Sequence, residues 1–299
     1  MKKIYAVIGG AGFIGHHIVN RLINSGHTVI VIDNLSTGTL ENVNPKAVFY
    51  KLDISQDDIT DILKGVHVVI LTAAMARVQP SIKDPITYNK TNVEGILRVL
   101  HSCYLAGVQR VVYSASSSAY GDTDIFPTPE TTQTNPLSPY GLQKYIGEQY
   151  CKLYSQLYKL DTVCLRYFNV YGEGMPISGA YRTVLSIFGE QYKKGLPLTF
   201  TNDGEQRRDF TYVQDVVSAN LLAAEYEHLL NGEVFNVGNG YNYSVNEVIN
   251  MFGSESAFLE NRIEPKTTLA DNSKLRKTFG WEPTGNLPKF IEQYKKTLR

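Results

Sequence analysis

The chain has 299 residues, 43% of them hydrophobic, which is enough for one large domain or two small ones with a sizeable core. Lysine plus arginine equals aspartate plus glutamate at 29 each, so no basic excess recommends nucleic acid or an anionic lipid surface as a partner. No apolar run is long enough to cross a membrane. The three cysteines, Cys103, Cys151 and Cys164, lie in apolar periodic stretches without metal-ligand spacing, which suits buried thiols in a reducing, cytoplasmic compartment and gives no metal site to expect.

The opening Met1-Lys-Lys-Ile-Tyr-Ala-Val-Ile8 has too short an apolar run for a signal peptide and passes straight into glycines, so residues 3–8 read as a first strand. Gly9-Gly-Ala-Gly12-Phe13-Ile14-Gly15 follows, then an amphipathic helix to about Ser25. Strand, glycine turn and helix in this order make a phosphate cradle: the glycines let backbone approach a ligand, and the helix N-terminus offers free N–H groups to an anion. The spacing is Gly-x-x-Gly-x-x-Gly, and taken alone it also describes a structural strand-to-helix turn. The next strand, Thr28–Ile32, ends in Asp33-Asn34-Leu35-Ser36-Thr37-Gly38. An acid about twenty residues past the glycines accepts hydrogen bonds from adenosine ribose hydroxyls and repels a 2′-phosphate, which favours NAD over NADP.

A third strand, Ala47–Leu52, ends in Asp53-Ile54, placed to meet an adenine edge. A fourth, His67–Leu71, ends in Thr72-Ala73-Ala74, small residues that allow close backbone approach. Asp84-Pro85 opens a long helix to about Ala106, and Gln109–Tyr113 is a fifth strand running into Ser114-Ala-Ser116-Ser117-Ser118-Ala-Tyr120. After a loop rich in Pro, Thr and Asn comes a helix from Tyr140 to about Leu157, carrying Tyr140-Gly-Leu-Gln-Lys144. A Tyr and a Lys four apart share one helix face. A unit positive charge about 4 Å from a phenol, at an effective dielectric near 20, contributes roughly 4 kcal/mol, or about three pKa units. Such a Tyr acts as a base near neutral pH, although by itself the pattern also fits a surface pair.

Thr162–Arg166 is a sixth strand, followed by Tyr167-Phe168-Asn169-Val-Tyr-Gly172, after which regular alternation gives way to short mixed segments. Residues 1–172 therefore read as a dinucleotide-binding domain of α/β class, a doubly wound parallel sheet. Residues 173–299 read mainly as a smaller mixed lobe, with elements such as Glu233–Val237 interleaved into the main sheet. In the lobe, Arg207 and Arg208 stand together near a turn, as a surface charge cluster or as a clamp on a diphosphate, with Arg262 a second candidate.

Taken together, the glycine turn, the Asp33–Gly38 segment, the Ser116 region, Tyr140-x-x-x-Lys144, Arg166-Tyr-Phe-Asn-Val-Tyr-Gly172 and Arg208-Asp-Phe resemble the extended short-chain dehydrogenase/reductases, and most of all their UDP-glucose 4-epimerase branch. The resemblance runs through essentially the whole chain, in order. It departs at Ile8, where the family usually has Thr, so one local hydrogen bond should differ. It implies a mechanism in which Tyr140, as phenolate, takes the 4-hydroxyl proton of a UDP-hexose while hydride passes to NAD. The 4-keto sugar turns over, and hydride and proton return to its opposite face. Lys144 would hold the nicotinamide ribose and lower the Tyr140 pKa, and Ser116 would bridge the 4-oxygen and Tyr140, with Ser117 and Ser118 as close neighbours. Related dehydratases carry an Asp-Glu pair after the active-site hydroxyl. Decarboxylating relatives carry a nearby Glu, and this chain has Ser117-Ser118. A reductase or another enzyme on the same scaffold is the runner-up, and a non-catalytic NAD-binding protein a distant third.

For NAD, the resemblance implies contacts from Gly9, Gly12, Phe13, Ile14 and Gly15, from Asp33, Asn34, Ser36, Thr37 and Gly38, and from Asp53, Ile54, Ala73 and Ala74. Asn92, a strut to neighbouring backbone, joins them with Ser114, Tyr140, Lys144 and Phe168. For the UDP-sugar it implies Ser116, Ser117, Ser118, Tyr140, Asn169, Arg208, Arg262 and Asp271, with Phe200 flanking the uracil. Thr268, three before the Asp of Ala-Asp271, would gate the sugar pocket. A small side chain there implies that UDP-GlcNAc/GalNAc is accepted as well as UDP-Glc/Gal. The family also implies a homodimer through a four-helix bundle of helices 84–106 and 140–157.

Overall fold

The computed structural model describes residues 2–177, 182–262 and 264–298. Strands in chain order are β1 (Ile4–Ile8), β2 (Thr28–Asp33), β3 (Val48–Lys51), β4 (Val68–Leu71), β5 (Arg110–Ser116), β6 (Asp161–Tyr167), β7 (Val170–Tyr171), β8 (Leu198–Thr201), β9 (Arg207–Asp209), β10 (Thr211–Tyr212), β11 (Glu233–Val237), β12 (Asn242–Ser244) and β13 (Ser256–Glu260). Helices are α1 (Phe13–Asn24), α2 (Thr60–Leu63), α3 (Val78–Lys83), α4 (Pro85–Asn89), α5 (Ile96–Ala106), α6 (Pro139–Tyr158), α7 (Val184–Lys193), α8 (Val213–Glu225), α9 (Val245–Phe252), α10 (Ser273–Phe279) and α11 (Leu287–Leu298).

Seven strands form one sheet in the order β11-β6-β5-β4-β1-β2-β3, every pairing parallel. The alternation in the strands decides which side each helix covers. Tyr5 and Val7 pack with Ile18, Val19 and Leu22 of α1 and with Val216 and Val217 of α8. Ala6 and Ile8 face the other way, onto Leu63 of α2, Val99 and Leu100 of α5 and Cys151 of α6. Helices thus lie on both faces, and the strand order reverses between β1 and β4, which opens a crevice beyond their carboxyl ends. The fold is the doubly wound α/β sheet that the sequence pattern predicts. β11 joins it beside β6, returned from far downstream.

Two elements differ from the sequence expectation. The fifth strand extends to Ser116 because every residue from Arg110 to Ala115 is buried. The long helix after Asp84 runs without a gap from Pro85 to Ala106, as expected, but changes pitch partway. Asp84 caps α4, its carboxylate accepting from the Thr87 N–H at 3.2 Å, with Pro85 in the first turn. Lys90–Gly95 is then π-helical, before α5 resumes the ordinary pitch.

Helix α6 opens on Ser138, whose hydroxyl accepts from the Gly141 N–H at 3.1 Å, followed by Pro139. Gly147 lets it lie close to β5: a Cβ there would overlap the Tyr113 phenol. The remaining residues build a lobe in which α7, α9 and α11 share a core of Phe188, Phe252, Leu287 and Ile291. Small ladders join β8 to β13 and β9 to β12.

Candidate active site

The glycine turn after β1 is packed against the loop after β4. Gly9 has φ +89°, and a Cβ on it would stand 2.5 Å from the Ala73 nitrogen, so neither conformation nor space admits another residue. A Cβ on Gly15 would strike the Gly9 carbonyl. No side chain caps α1, whose N-cap is Gly12, so the first-turn N–H groups of Phe13, Ile14 and Gly15 are left to a ligand. Asp33, at the end of β2, accepts from the Ala11 N–H at 3.0 Å and the Leu35 N–H at 2.8 Å, which ties the glycine turn to the next loop. Gly38 lies against Ala11, where a Cβ would meet the Ala11 carbonyl carbon at 2.6 Å. Ser36 and Thr37 are exposed beside it. This cradle, bare of side chains at the turn and carrying one acid at the strand end, fits a dinucleotide.

The departure at Ile8 has a structural counterpart. The Thr72 hydroxyl, one strand over, donates to the carbonyls of Ile8 at 3.0 Å and Gly9 at 3.2 Å. A hydroxyl still fixes this turn, supplied from β4's end rather than from β1. At the next edge Asn34 donates to the Asp53 carboxylate at 3.0 Å, and Ser55 binds its other oxygen. Ile54 is instead buried in the core beneath the π-helical stretch, against Gly95.

Asn92 is fully buried and reaches from the π-helical stretch to the loop after β4. Its Oδ1 accepts from the Met75 N–H and its Nδ2 donates to the Met75 carbonyl, both at 2.8 Å, with a further bond from Nδ2 to Gln143 at 3.0 Å. The strut therefore joins three segments around Ala73 and Ala74.

Tyr140, Ser116 and Lys144 meet at the carboxyl end of β5. The Tyr140 phenol is hydrogen-bonded with Ser116. Ser118 donates to the Ser116 oxygen through both its N–H at 3.2 Å and its hydroxyl at 2.8 Å, so the three serines are not equivalent and Ser116 is the one on the tyrosine. Burial pushes the Tyr140 phenol up, opposed by the Ser116 hydrogen bond and by the positive charge of Arg77. The Lys144 ammonium, buried, donates to the Ser114 carbonyl at 2.7 Å. Burial pushes it down to about 8, opposed first by Glu148. The Ser114 hydroxyl is shared with Tyr167 at 2.9 Å.

Glu148 continues the same helix face, four residues past Lys144, and makes two bonds to Arg166 at 2.8 and 2.6 Å, with both side chains buried. The i+4 spacing from Lys144 was the available signal for it. Arg77, by contrast, has no motif. Phe168 is buried beside Tyr120 and donates its N–H to the Val237 carbonyl.

On the lobe side Asn169, Thr268 and Asp209 converge. The Asn169 amide donates to the Asp209 carbonyl at 3.1 Å and to the Thr268 hydroxyl at 3.3 Å, and that hydroxyl also accepts from the Asp209 N–H at 3.2 Å. The buried Asp209 carboxylate holds the N–H groups of Asn239, Gly240 and Ala270. Arg208 is paired with Glu264 at 2.6 Å, and Phe200 lies edge-on to Phe258 at 6.1 Å. Two expected contacts are not brought into this group. Arg262 turns to Glu260, two residues back at the end of β13, and pairs with it at the surface. The Asp271 carboxylate turns to the Ser273 N–H at 2.9 Å, at the entry to α10.

Comparison with known proteins agrees with this geometry. Residues 5–238 match the model of the NAD dependent epimerase/dehydratase family. A Methanocaldococcus jannaschii protein named a putative UDP-glucose 4-epimerase is 38% identical over 296 residues, covering 96% of this chain and 95% of its own. The crystal structure of Thermotoga maritima UDP-glucose 4-epimerase with UDP-glucose superposes with TM-score 0.93 at 36% identity, covering 99% of this chain and all of that one. UDP-N-acetylglucosamine 4-epimerase from Methanobrevibacter ruminantium, in complex with UDP-N-acetylmuramic acid, superposes with TM-score 0.91 at 35% identity, covering 100% and 98%. The chain belongs to the NAD dependent epimerase/dehydratase family, in its UDP-glucose 4-epimerase-like branch of the extended short-chain dehydrogenase/reductases, and is an NAD-dependent isomerase.

Proposed function

We propose that the chain inverts carbon 4 of a UDP-hexose, acting on UDP-glucose and UDP-galactose and also on the N-acetylated pair. The observation that carries this reading is the Tyr140–Ser116 hydrogen bond beside a strip of hydroxyls, Ser116 to Ser118, that contains no acid. Elimination of water needs a proton donor at that strip, and inversion does not. The chemistry that NAD supplies when bound is reversible hydride acceptance. The glycine turn, the first turn of α1 and Asp33 would hold it, with Lys144 on its nicotinamide side.

Within this reading the chain's own residues do four things. Tyr140, ionised, accepts the proton of the sugar 4-hydroxyl and keeps it. Ser116, oriented by Ser118, spans the phenol and the sugar oxygen. Arg208 leaves Glu264 to neutralise the diphosphate. Tyr140 returns the proton once the sugar has presented its other face, so acid and base are one group and nothing is consumed. Thr268, with Asn169 and Asp209 around it, leaves room for an acetamido group. The exposed apolar strip of Tyr104 and Leu105 on α5 with Leu153, Leu157 and Tyr158 on α6 supports a homodimer built on these helices.

The test is to incubate the purified protein with UDP-glucose and UDP-GlcNAc separately, without added reductant, and to resolve the sugars by carbohydrate NMR. The 4-epimers are expected from both, and Tyr140→Phe is expected to abolish both. Unchanged sugars in the presence of intact bound NAD would overturn the reading.

A further inference from the structure

Arg207 and Arg208 are neighbours on β9, so their side chains leave opposite faces of the strand. Arg207 is built into the lobe. Its guanidinium donates to the Asn242 side chain at 2.9 Å and the Asn242 carbonyl at 3.1 Å, and it pairs with Glu247 of α9 at 2.9 Å. Arg208 is held differently. Its Nη1 donates to the Arg207 carbonyl at 2.9 Å, and its Nη2 donates to Glu264 Oε2 at 2.6 Å. Glu264 lies in the segment between β13 and Thr268, and its two oxygens have separate tasks. Oε1 accepts from the Thr201 hydroxyl at 2.9 Å and the Asn202 amide at 3.1 Å, which ties the segment to the end of β8. Oε2 meets Arg208. The first oxygen anchors the segment by itself, so the second can give way to another anion without releasing it.

We propose that Glu264 is a resident counter-ion at the diphosphate subsite: its Oε2 occupies the edge of the Arg208 guanidinium that a sugar nucleotide must take, and so limits how tightly that ligand is held. The inference rests on the reading of Arg208 as the ligand of the UDP diphosphate, and adds the group that competes for it. The Arg208 side chain is 12% exposed and that of Glu264 27%, so solvent screens this pair less than an ordinary surface contact. With the subsite empty, the carboxylate keeps a half-withdrawn guanidinium from standing uncompensated and fixes its direction. With a diphosphate present, one charge-assisted bond is exchanged for another, and the net gain is smaller than a free arginine would give. That restraint suits a reversible isomerase. Holding substrate and product ever more tightly does not speed the chemical step, and it slows release.

The division of labour between the two oxygens supplies the variant. In Glu264→Gln the amide oxygen can keep the bonds from Thr201 and Asn202, while an NH2 group, which cannot accept from Arg208, replaces Oε2. The experiment is calorimetric titration of the NAD-loaded protein with UDP and, separately, with uridine, which lacks the diphosphate. Glu264→Gln should bind UDP about tenfold more tightly than the parent and uridine with unchanged affinity. A merely structural role for Glu264 predicts the opposite sign, weaker binding of both. In an Arg208→Met background, adding Glu264→Gln should bring no gain for UDP. Unchanged or weaker UDP binding in Glu264→Gln would overturn the proposal, as would equal tightening of uridine. A tenfold gain that persists in Arg208→Met would also overturn it, since the carboxylate would then act through space and not by occupying Arg208. If the parent binds UDP no better than uridine, the reading of Arg208 as diphosphate ligand falls together with the proposal. If the parent prefers UDP and Glu264→Gln changes nothing, the proposal falls alone. Neither ligand is turned over, so the titration reads out whether or not a UDP-hexose is epimerised.

Discussion

Lys144 stands one helical turn beyond Tyr140 on α6, yet its ammonium donates to the Ser114 carbonyl at 2.7 Å. An ion this buried lowers stability where it is charged. Its pKa in the fold, about 8, lies below the ordinary 10.5, so the unfolded chain binds this proton more tightly. Stability contributed at this site therefore rises as pH climbs from about 8 to about 10.5, and below 8 the fold carries the full penalty, about 3 kcal/mol for a shift of this size. Lys144→Met should be more stable than the parent at pH 7 and lose activity. Urea unfolding at several pH values should show the gap closing toward pH 10. A constant gap would mean that the ammonium is solvated after all.

Asn92 makes a second, independent prediction. Replacing it by Ala leaves the Met75 N–H and carbonyl and the Gln143 amide without their buried partner, at a cost of about 2–4 kcal/mol. The loop it releases also bears Ala73, Ala74 and Arg77. Asn92→Ala should therefore retain less NAD on gel filtration, beyond what its lower urea midpoint explains. Full NAD retention would reduce Asn92 to a purely structural strut.

How much of this was legible depended on the kind of signal. The strand alternation of Ile4–Ile8 and Thr28–Asp33 and the glycine turn between them are local patterns, and the sheet follows from them. The strut role of Asn92 came from resemblance, but the π-helical stretch around it did not show in the sequence. One extra residue per turn over six residues barely disturbs a helical pattern of apolar positions. The meeting of Tyr140, Ser116 and Lys144 was legible because each sits at a predicted strand end or helix start. Arg77 was not, since a non-glycine residue at positive φ leaves no mark in composition or period. Arg262 and Asp271 bond close neighbours in sequence, Glu260 and Ser273, and motif matching does not show such local pairings.

The buried pair of Glu148 and Arg166 should respond asymmetrically. Glu148→Gln leaves the guanidinium uncompensated and removes the charge that keeps Lys144 protonated, so a loss of about 3–5 kcal/mol is expected. The double variant Glu148→Leu/Arg166→Met removes both charges and should recover part of that loss in urea. If the double variant is worse than the sum of the single ones, the pair has a value that desolvation arguments do not capture.

Thr268 offers the sharpest test of substrate range. Its hydroxyl accepts from the Asp209 N–H and bonds Asn169, so any substitution disturbs the lobe's junction a little for every substrate. Thr268→Val removes the hydroxyl at nearly constant size and should lower kcat/KM modestly and equally for UDP-glucose and UDP-GlcNAc. Thr268→Tyr adds bulk as well. If the side chain faces the sugar, it should cost UDP-GlcNAc at least tenfold more than UDP-glucose, the size of a steric loss of about 1.4 kcal/mol. Steady-state assays of both sugars with both variants separate the two effects. Loss of the same size on both sugars in Thr268→Tyr would leave the hydrogen bonds as the whole explanation and remove Thr268 as the determinant of sugar size.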